Sequence, residues 1–154
     1  MLDFIRLKFI SEQTYIVKVN VKGESMIEII NLTPHAVALY SQSDCEEVTQ
    51  GKYKTLVLKE GATPKCVYPS EGVARASAVK AEVDHLEIGD LVVPVNSTTY
   101  GTPEGLPEPV EGRYYIVSAL TAQAAADRKD LLIVDSTVRD GEGRIVGCTA
   151  FGRV

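Results

Sequence analysis

The sequence predicts an α+β fold: a single domain with a mostly antiparallel β-sheet, one main helix near residues 118–129 and a C-terminal hairpin. Three observations support this prediction. Short runs of alternating apolar and polar residues are separated by glycine- and proline-rich turns. One segment is rich in strong helix formers. Two extended runs near the end are joined by Asp-Gly-Glu-Gly, a hairpin signal. A chain of 154 residues suits one compact domain.

The strands are predicted from segments such as "MIEIIN", "YKTLVLK" and "LLIV". Pro34 separates the strand predicted for "MIEIIN" from the following extended run "AVALY", because proline cannot donate a backbone hydrogen bond to a neighbouring strand. Pro94, in "LVVPVNSTTYG", marks an edge strand or a bulge. The three prolines of "TPEGLPEP" indicate an extended loop.

The helix is predicted from "SALTAQAAADRK". Ser118 is a suitable N-cap, since its hydroxyl can accept a hydrogen bond from the first turn. The alanine-rich run that follows favours a helix, and the positive charges of Arg128 and Lys129 suit its C-terminal end.

The sequence predicts that residues 1–25 are either a leader that is not native or a peripheral hairpin, and that residues 26–154 form a single ligand-binding domain. In "VKGESM", Lys-Gly-Glu followed by a spacer and Met26 matches a purine-rich ribosome-binding site translated in frame. This pattern favours Met26 as the start. The alternation in "FIRLKFI" and "TYIVKVNVK" supports the hairpin instead.

Composition excludes several classes of protein. The net charge is −5 and no basic stripe is present, which argues against general nucleic-acid binding. No apolar run approaches the roughly 20 residues of a membrane span. Cys45, Cys66 and Cys148 are odd in number and widely spaced, which indicates reduced thiols and a cytoplasmic setting.

The sequence contains no strong catalytic motif, and it predicts no catalytic residue, cofactor or metal. His35 follows a Thr-Pro step and is predicted to hold the bend beside the ligand site. His85 lies in a charged, solvated stretch. A nucleophilic dyad of His35 with Cys148 is conceivable. However, Cys148 lies in an alternating apolar run, where cysteine usually acts as a small hydrophobe.

The arginines suggest a ligand. Arg75, Arg128 and Arg139 occupy an alternating segment, a helix end and a hairpin turn, and guanidinium groups bind phosphate bidentately. Tyr100, beside a glycine, could stack on a planar base, with Asn96 supplying hydrogen bonds. The structural alternatives are ion pairs of Arg128 and Arg139 with acidic neighbours, and core packing of Tyr100.

Five segments, "INLTPHAV", "YPSEGVARAS", "TTYGTPEGLPEP", "YIVSAL" and "RKDLLIVDSTVRDGEGRIVGC", occur in this order. Together they resemble a family of small proteins found in bacteriophages, prophages and other mobile elements. The likeness runs from Met26 to about Cys148.

This family is similar to the phage Thoeris anti-defence sponges, which sequester cyclic ADP-ribose-type immune signals without cleaving them. The resemblance implies a homo-oligomer built from dimers in the host cytoplasm, with a small anionic nucleotide-like ligand. It also implies roles for six residues: phosphate contacts from Arg75, Arg128 and Arg139, base stacking by Tyr100, and hydrogen bonds from Asn96 and Asp140. His35 completes the predicted ligand-binding set. One departure is that this chain is predicted to end in a strand, whereas the sponges carry C-terminal helical elements.

Two other functions remain open from the sequence. A nucleotide hydrolase or lyase could use His35 as a general base, because the ordinary pKa of histidine suits proton transfer near neutrality. A structural or interaction protein of a mobile element would need none of these residues for ligands.

Overall fold

The computed structural model describes residues 4–10, 13–19 and 27–154, which form twelve strands, one α-helix and one short 3₁₀ turn. The strands are β1 Phe4–Ile10, β2 Gln13–Val19, β3 Glu28–Asn31, β4 Val37–Leu39, β5 Cys45–Gln50, β6 Tyr53–Leu58, β7 Cys66–Tyr68, β8 Ala78–Ile88, β9 Leu91–Tyr100, β10 Arg113–Ile116, β11 Leu131–Arg139 and β12 Ile145–Gly152. Helix α1 spans Ala119–Ala124, and the 3₁₀ turn spans Gln42–Asp44.

The predicted α+β class is wrong, because the described residues form a β-rich fold with one short helix. The predicted N-cap is present: the Ser118 hydroxyl accepts a hydrogen bond from the Thr121 N–H at 3.2 Å. The helix then ends at Ala124, whereas the predicted helix would have continued to residue 129. Ala125 is the buried C-cap, and its N–H donates to the carbonyls of Thr121 and Ala122.

The main sheet is mixed, which corrects the prediction of a mostly antiparallel one. Its strand order is β3-β10-β11-β12-β4-β7, and β6 pairs with the later part of β11 and with β5. Four of its pairings are parallel: β3 with β10, β10 with β11, β6 with β11, and β4 with β12. A bridge between Asn31 and Ser70 connects β3 to the chain just after β7, so the sheet nearly closes on itself.

The parallel pairing of β10 with β11 follows from the connection between them. Parallel neighbours need a crossover, and residues 117–130, which contain α1, supply it. The crossover contributes Val117, Ala122 and Ala125 to the core on one side of β10. Tyr115 packs in this cluster, whereas Ile116 packs in a second cluster on the other face. β10 therefore contributes to both clusters of the core.

Two hairpins lie outside this arrangement. β1 and β2 pair antiparallel, with Ile10 opposite Gln13. The predicted start at Met26 lies outside the described residues. β8 and β9 form a longer antiparallel ribbon, in which Pro94 occupies an edge strand. The C-terminal hairpin is present as well, with β11 and β12 antiparallel around a turn at Asp140–Arg144.

Candidate functional site

The bend after β3 is held by Asn31 rather than by the His35 ring. The fully buried Asn31 amide donates hydrogen bonds to the His35 carbonyl at 2.7 Å and to the Tyr68 carbonyl at 2.9 Å. Its Oδ1 atom accepts from the Thr33 N–H at 3.0 Å and from the Thr33 hydroxyl at 2.6 Å. Asparagine commonly organises a turn in this way. The order Asn-Leu-Thr-Pro therefore contains the sequence feature from which the role of Asn31 in the bend could have been predicted. His35 is exposed and contributes its backbone carbonyl.

This bend forms one wall of a cleft of about 260 Å³, which we call the Arg75 cleft. The other walls come from the segment after β7 and from the start of α1. Its lining residues are Leu32, Thr33, Pro34, Val73, Ala74, Arg75, Ala76, Ser118, Leu120 and Thr121. Three of the five segments that carry the family resemblance therefore meet at this one place.

Hydrogen bonds fix the three walls relative to one another. The Ala74 N–H donates to the Leu32 carbonyl at 3.0 Å, and the Thr121 hydroxyl donates to the Ala74 carbonyl at 3.2 Å. Arg75 exchanges two backbone hydrogen bonds with Glu104, at 2.9 and 2.7 Å. Gly105 follows with φ +76°, and a Cβ there would lie 2.8 Å from the Val73 carbonyl oxygen. The backbone of Arg75 is thus held firmly while its side chain projects outward.

The Arg75 side chain differs from its surroundings in charge and in pairing. Its guanidinium makes no hydrogen bond or ion pair with any other residue among 27–154. The neighbouring lining is largely apolar, with Leu32, Pro34 and Leu120 among its members. The hydroxyls of Ser118 and Thr121 lie 2.9 Å apart and bond each other. A cationic group with free donors at an apolar cleft can bind an anionic group directly.

A second cleft, of about 440 Å³, lies at the turn between β11 and β12, and we call it the turn cleft. It is lined by Val48, Gln50, Thr55, Val57, Arg139, Asp140, Gly141 and Gly143. Two predicted ligand-binding residues, Arg139 and Asp140, therefore lie together here, apart from Arg75. The Arg139 Nη1 atom donates to the Gly143 carbonyl at 2.7 Å, which leaves its other donors for a ligand.

Asp140 stabilises the turn between β11 and β12. Its Oδ1 atom accepts from the N–H groups of Glu142 and Arg144, both at 2.9 Å, and its Oδ2 atom accepts from the Arg144 guanidinium at 2.8 Å. These hydrogen bonds lower the pKa of the Asp140 carboxyl. Asparagine or aspartate at the first position of such a turn commonly bonds the backbone this way.

Arg128 is committed to an ion pair. Its Nε and Nη2 atoms contact the two carboxylate oxygens of Asp130 at 2.8 and 2.7 Å, and Nη2 also donates to the Pro107 carbonyl at 2.9 Å. The hydrogen bonds from Arg128 lower the pKa of Asp130, and the same contact raises the pKa of Arg128. This is the ion pair with an acidic neighbour that the sequence offered as the structural alternative for Arg128.

The remaining predicted residues lie elsewhere. Asn96 and Tyr100 are on β9 and exposed, where they face Glu82 and Ala78 across the ribbon. Neither residue is among the described lining of either cleft. The seven predicted ligand-binding residues therefore do not converge on one site.

The geometry argues against a cysteine nucleophile. Cys148 is completely buried in the cluster that contains Val37, Tyr68 and Ile116, and burial raises the pKa of its thiol. A nucleophilic cysteine needs the thiolate form and access to substrate, so the conceivable dyad with the exposed His35 lacks both.

Within the described ranges, no group of three or more histidine, cysteine or acidic side chains is arranged to hold a metal ion. None of the helical segments that the structure describes has the length and apolarity to cross a bilayer.

Comparison of the chain with protein-family models, curated proteins and solved structures found no match. The evidence for function therefore lies in the clefts and the surface of the molecule.

Proposed function

We propose that this chain is a binding protein that sequesters a small anionic, nucleotide-like ligand, and that the Arg75 cleft holds the anionic group. The observation that carries the proposal is the unpaired Arg75 guanidinium beside an apolar lining that a hydrogen-bonded framework fixes in place. A preorganised cleft loses little conformational entropy on binding.

The chemistry of the lining suits part of a nucleotide. A planar guanidinium can donate two parallel hydrogen bonds to a phosphate, and Leu32, Pro34 and Leu120 offer contact area to a ribose or base. At about 260 Å³ the cleft is slightly smaller than a typical small-molecule pocket, so it suits a phosphate with one adjoining sugar or base.

Sequestration without cleavage fits the same lining. Among the described residues that line the cleft, Arg75 is the one with an ionisable side chain. Arginine remains protonated in proteins and does not act as a general base. The cleft therefore offers affinity without an acid–base pair. The proposed ligand class is a cyclic ADP-ribose-type signal, and the proposed setting is the cytoplasm of a phage-infected bacterium.

The test is calorimetric titration of the purified chain with cyclic ADP-ribose isomers and with cyclic di- and trinucleotides, followed by recovery and analysis of the ligand. We expect one of these compounds to bind and to be recovered intact. Arg75→Ala should weaken its binding about tenfold to a hundredfold, because a hydrogen bond to a charged group contributes about 1.5–3 kcal/mol.

Arg139→Ala is the matched control, since it removes an arginine from the turn cleft. Retained affinity in Arg139→Ala supports the Arg75 cleft, whereas lost affinity in that variant alone would move the site to the turn cleft. If the recovered ligand is chemically altered, and His35→Ala prevents the alteration, the protein is a hydrolase or lyase and the proposal of sequestration is overturned. Absence of binding by every compound would overturn the nucleotide proposal.

A further inference from the structure

The β8–β9 ribbon is a two-stranded sheet that contacts the body at α1 and is exposed along its length. Every residue of β8 and β9 is exposed, and among the described strands each pairs with the other and with no third. An isolated two-stranded hairpin is only marginally stable in water, and natural ribbons usually gain stability by covering one face. A partner surface that covered one face would therefore stabilise the β8–β9 ribbon.

The pairing register defines two faces of the ribbon. Side chains directly opposite each other across an antiparallel pair share a face. One face carries five pairs: Val79 with Thr99, Ala81 with Ser97, Asp84 with Val95, Leu86 with Val93, and Ile88 with Leu91. We call this the apolar face. The polar face carries Tyr100 with Ala78, Thr98 with Lys80, Asn96 with Glu82, Pro94 with His85, and Val92 with Glu87.

A β-bulge makes the apolar face continuous. In the sequence, Val79 and Ala81 are out of phase with Leu86 and Ile88, so an uninterrupted strand would place the two pairs on opposite faces. The register shift between Glu82 and Asp84 inserts one extra residue and brings them onto the same face. Six large apolar side chains on this face are exposed by 37–66%: Val79, Leu86, Ile88, Leu91, Val93 and Val95.

We propose that the apolar face binds the same face of a second copy of this chain, with the two ribbons antiparallel and a two-fold axis passing near Val95. A two-fold axis brings one surface against itself, so the surface must be self-complementary. This inference does not depend on the proposed ligand.

The sizes of the side chains meet that requirement. The half of the apolar face near the hairpin turn carries Leu86, Ile88, Leu91 and Val93, whereas the half near the body carries Ala81 and Ser97 together with Val79 and Thr99. In the antiparallel arrangement Leu86 lies over Ala81 of the second copy, Val93 over Ser97 and Leu91 over Thr99, while Ile88 lies over Val79. Facing layers of large and small side chains interdigitate well.

The edges of the ribbon favour packing by faces over pairing by edges. Pro94 lies on β9, whose outer edge is unpaired, and proline removes a backbone donor from that edge. The face itself is about 35 Å long and about 10 Å wide, from the rise and spacing of strands. Two such faces bury several hundred Å², the size of a weak interface, so we expect dissociation in the micromolar range.

Asp84 provides a specific signature of the arrangement. It faces Val95 at the middle of the apolar face, so the proposed axis brings the Asp84 carboxylates of the two copies near each other. Each Oδ1 atom already accepts the His85 N–H at 2.8 Å, which restrains the carboxylate without neutralising it. Mutual repulsion should weaken the dimer, and Asp84→Asn should strengthen it.

The test is sedimentation equilibrium of the full chain from about 1 µM to about 500 µM, a range that brackets a micromolar dissociation constant. Leu91→Asp and Val92→Asp are a matched pair, because the two neighbours are equally exposed, at 66%, and lie on opposite faces. We expect a monomer–dimer equilibrium in the wild-type chain, more than tenfold weaker association in Leu91→Asp, and little change in Val92→Asp.

Asp84→Asn keeps the inference falsifiable if Leu91→Asp fails to fold, and it should tighten association severalfold. A wild-type chain that stays monomeric over the whole range would overturn the proposal. Equal effects of Leu91→Asp and Val92→Asp would overturn the assignment of the face, and unchanged or weaker association of Asp84→Asn would overturn the antiparallel arrangement.

Discussion

The body of the protein and the β8–β9 ribbon use similar residues and bury them differently. In the body, β10 has Tyr115 and Ile116 completely or almost completely buried on opposite faces. In the ribbon, valines, leucines and an isoleucine of comparable β-propensity remain exposed. Apolar side chains in the body stabilise the monomer, whereas those in the ribbon stabilise it little and are available to a partner surface.

The largest expected contrast is between Ile116→Ala and Ile88→Ala. Removing the buried Ile116 side chain leaves a cavity between β10 and the Cys148 cluster, and we expect a loss of about 2–5 kcal/mol in the free energy of unfolding. Ile88→Ala should cost less than about 1 kcal/mol, because that side chain is largely exposed. Urea unfolding in dilute solution measures both. A comparable loss in Ile88→Ala would show that the ribbon is packed in the monomer.

Asn31→Ala and Asn96→Ala give the second contrast. Asn31→Ala would remove the Asn31 hydrogen bonds to the Tyr68 carbonyl and the Thr33 N–H and would leave the His35 carbonyl with the Thr33 hydroxyl alone, at a cost of about 2–3 kcal/mol. Asn96→Ala, on the exposed ribbon, should change stability by less than about 0.5 kcal/mol. The same urea experiment compares them. A small loss in Asn31→Ala would mean that the bend has another support.

The smallest expected effect is that of Arg128→Ala, which also changes how stability falls at low pH. Arg128→Ala should cost about 1–2 kcal/mol at neutral pH, since it leaves a half-buried carboxylate and the Pro107 carbonyl unpaired. The pKa of Asp130 is lowered in the folded state, so the stabilisation is complete above the unfolded pKa of about 3.9. It is lost as the pH falls from that value through the folded pKa, because the unfolded state there binds a proton that the folded ion pair excludes.

Urea unfolding at pH 7 and pH 3 measures this dependence. The wild-type chain should lose more stability between the two values than Arg128→Ala does. Equal losses would show that the ion pair does not contribute to the pH dependence.

Local structural features could be predicted from the sequence better than long-range ones. Ser118 as an N-cap, the turn at Asp140 and the edge position of Pro94 all depend on neighbouring residues, and each was predictable. The length of α1 was not, because the helix ends at Ala124 although the alanine run that follows favours a longer one, and tertiary structure overrides propensity. The parallel pairings join segments far apart in the chain, for which alternation carries no signal.

The candidate site shows the same contrast between local features, which the sequence predicts, and long-range contacts, which it does not. An arginine in an alternating segment is visible in the sequence, so Arg75 could be proposed without coordinates. The sequence could not show that Arg128 is held by Asp130 and Pro107, or that Asn96 and Tyr100 lie on a separate ribbon. The role of Asn31 was missed, because its four contacts reach as far as Tyr68. The apolar face was also hidden, since the bulge changes the phase of β8.

The parallel pairing of β3 with β10 has a consequence for synthesis. Glu28 pairs with Arg113, so β3 has no strand paired along its length, beyond the single bridge from Asn31 to Ser70, until residues 113–116 have left the ribosome. The β8–β9 ribbon has local contacts and can form as soon as Tyr100 emerges. The nascent chain therefore displays its ribbon before its body can close. Two chains made on one message could meet through these ribbons while each is still being translated.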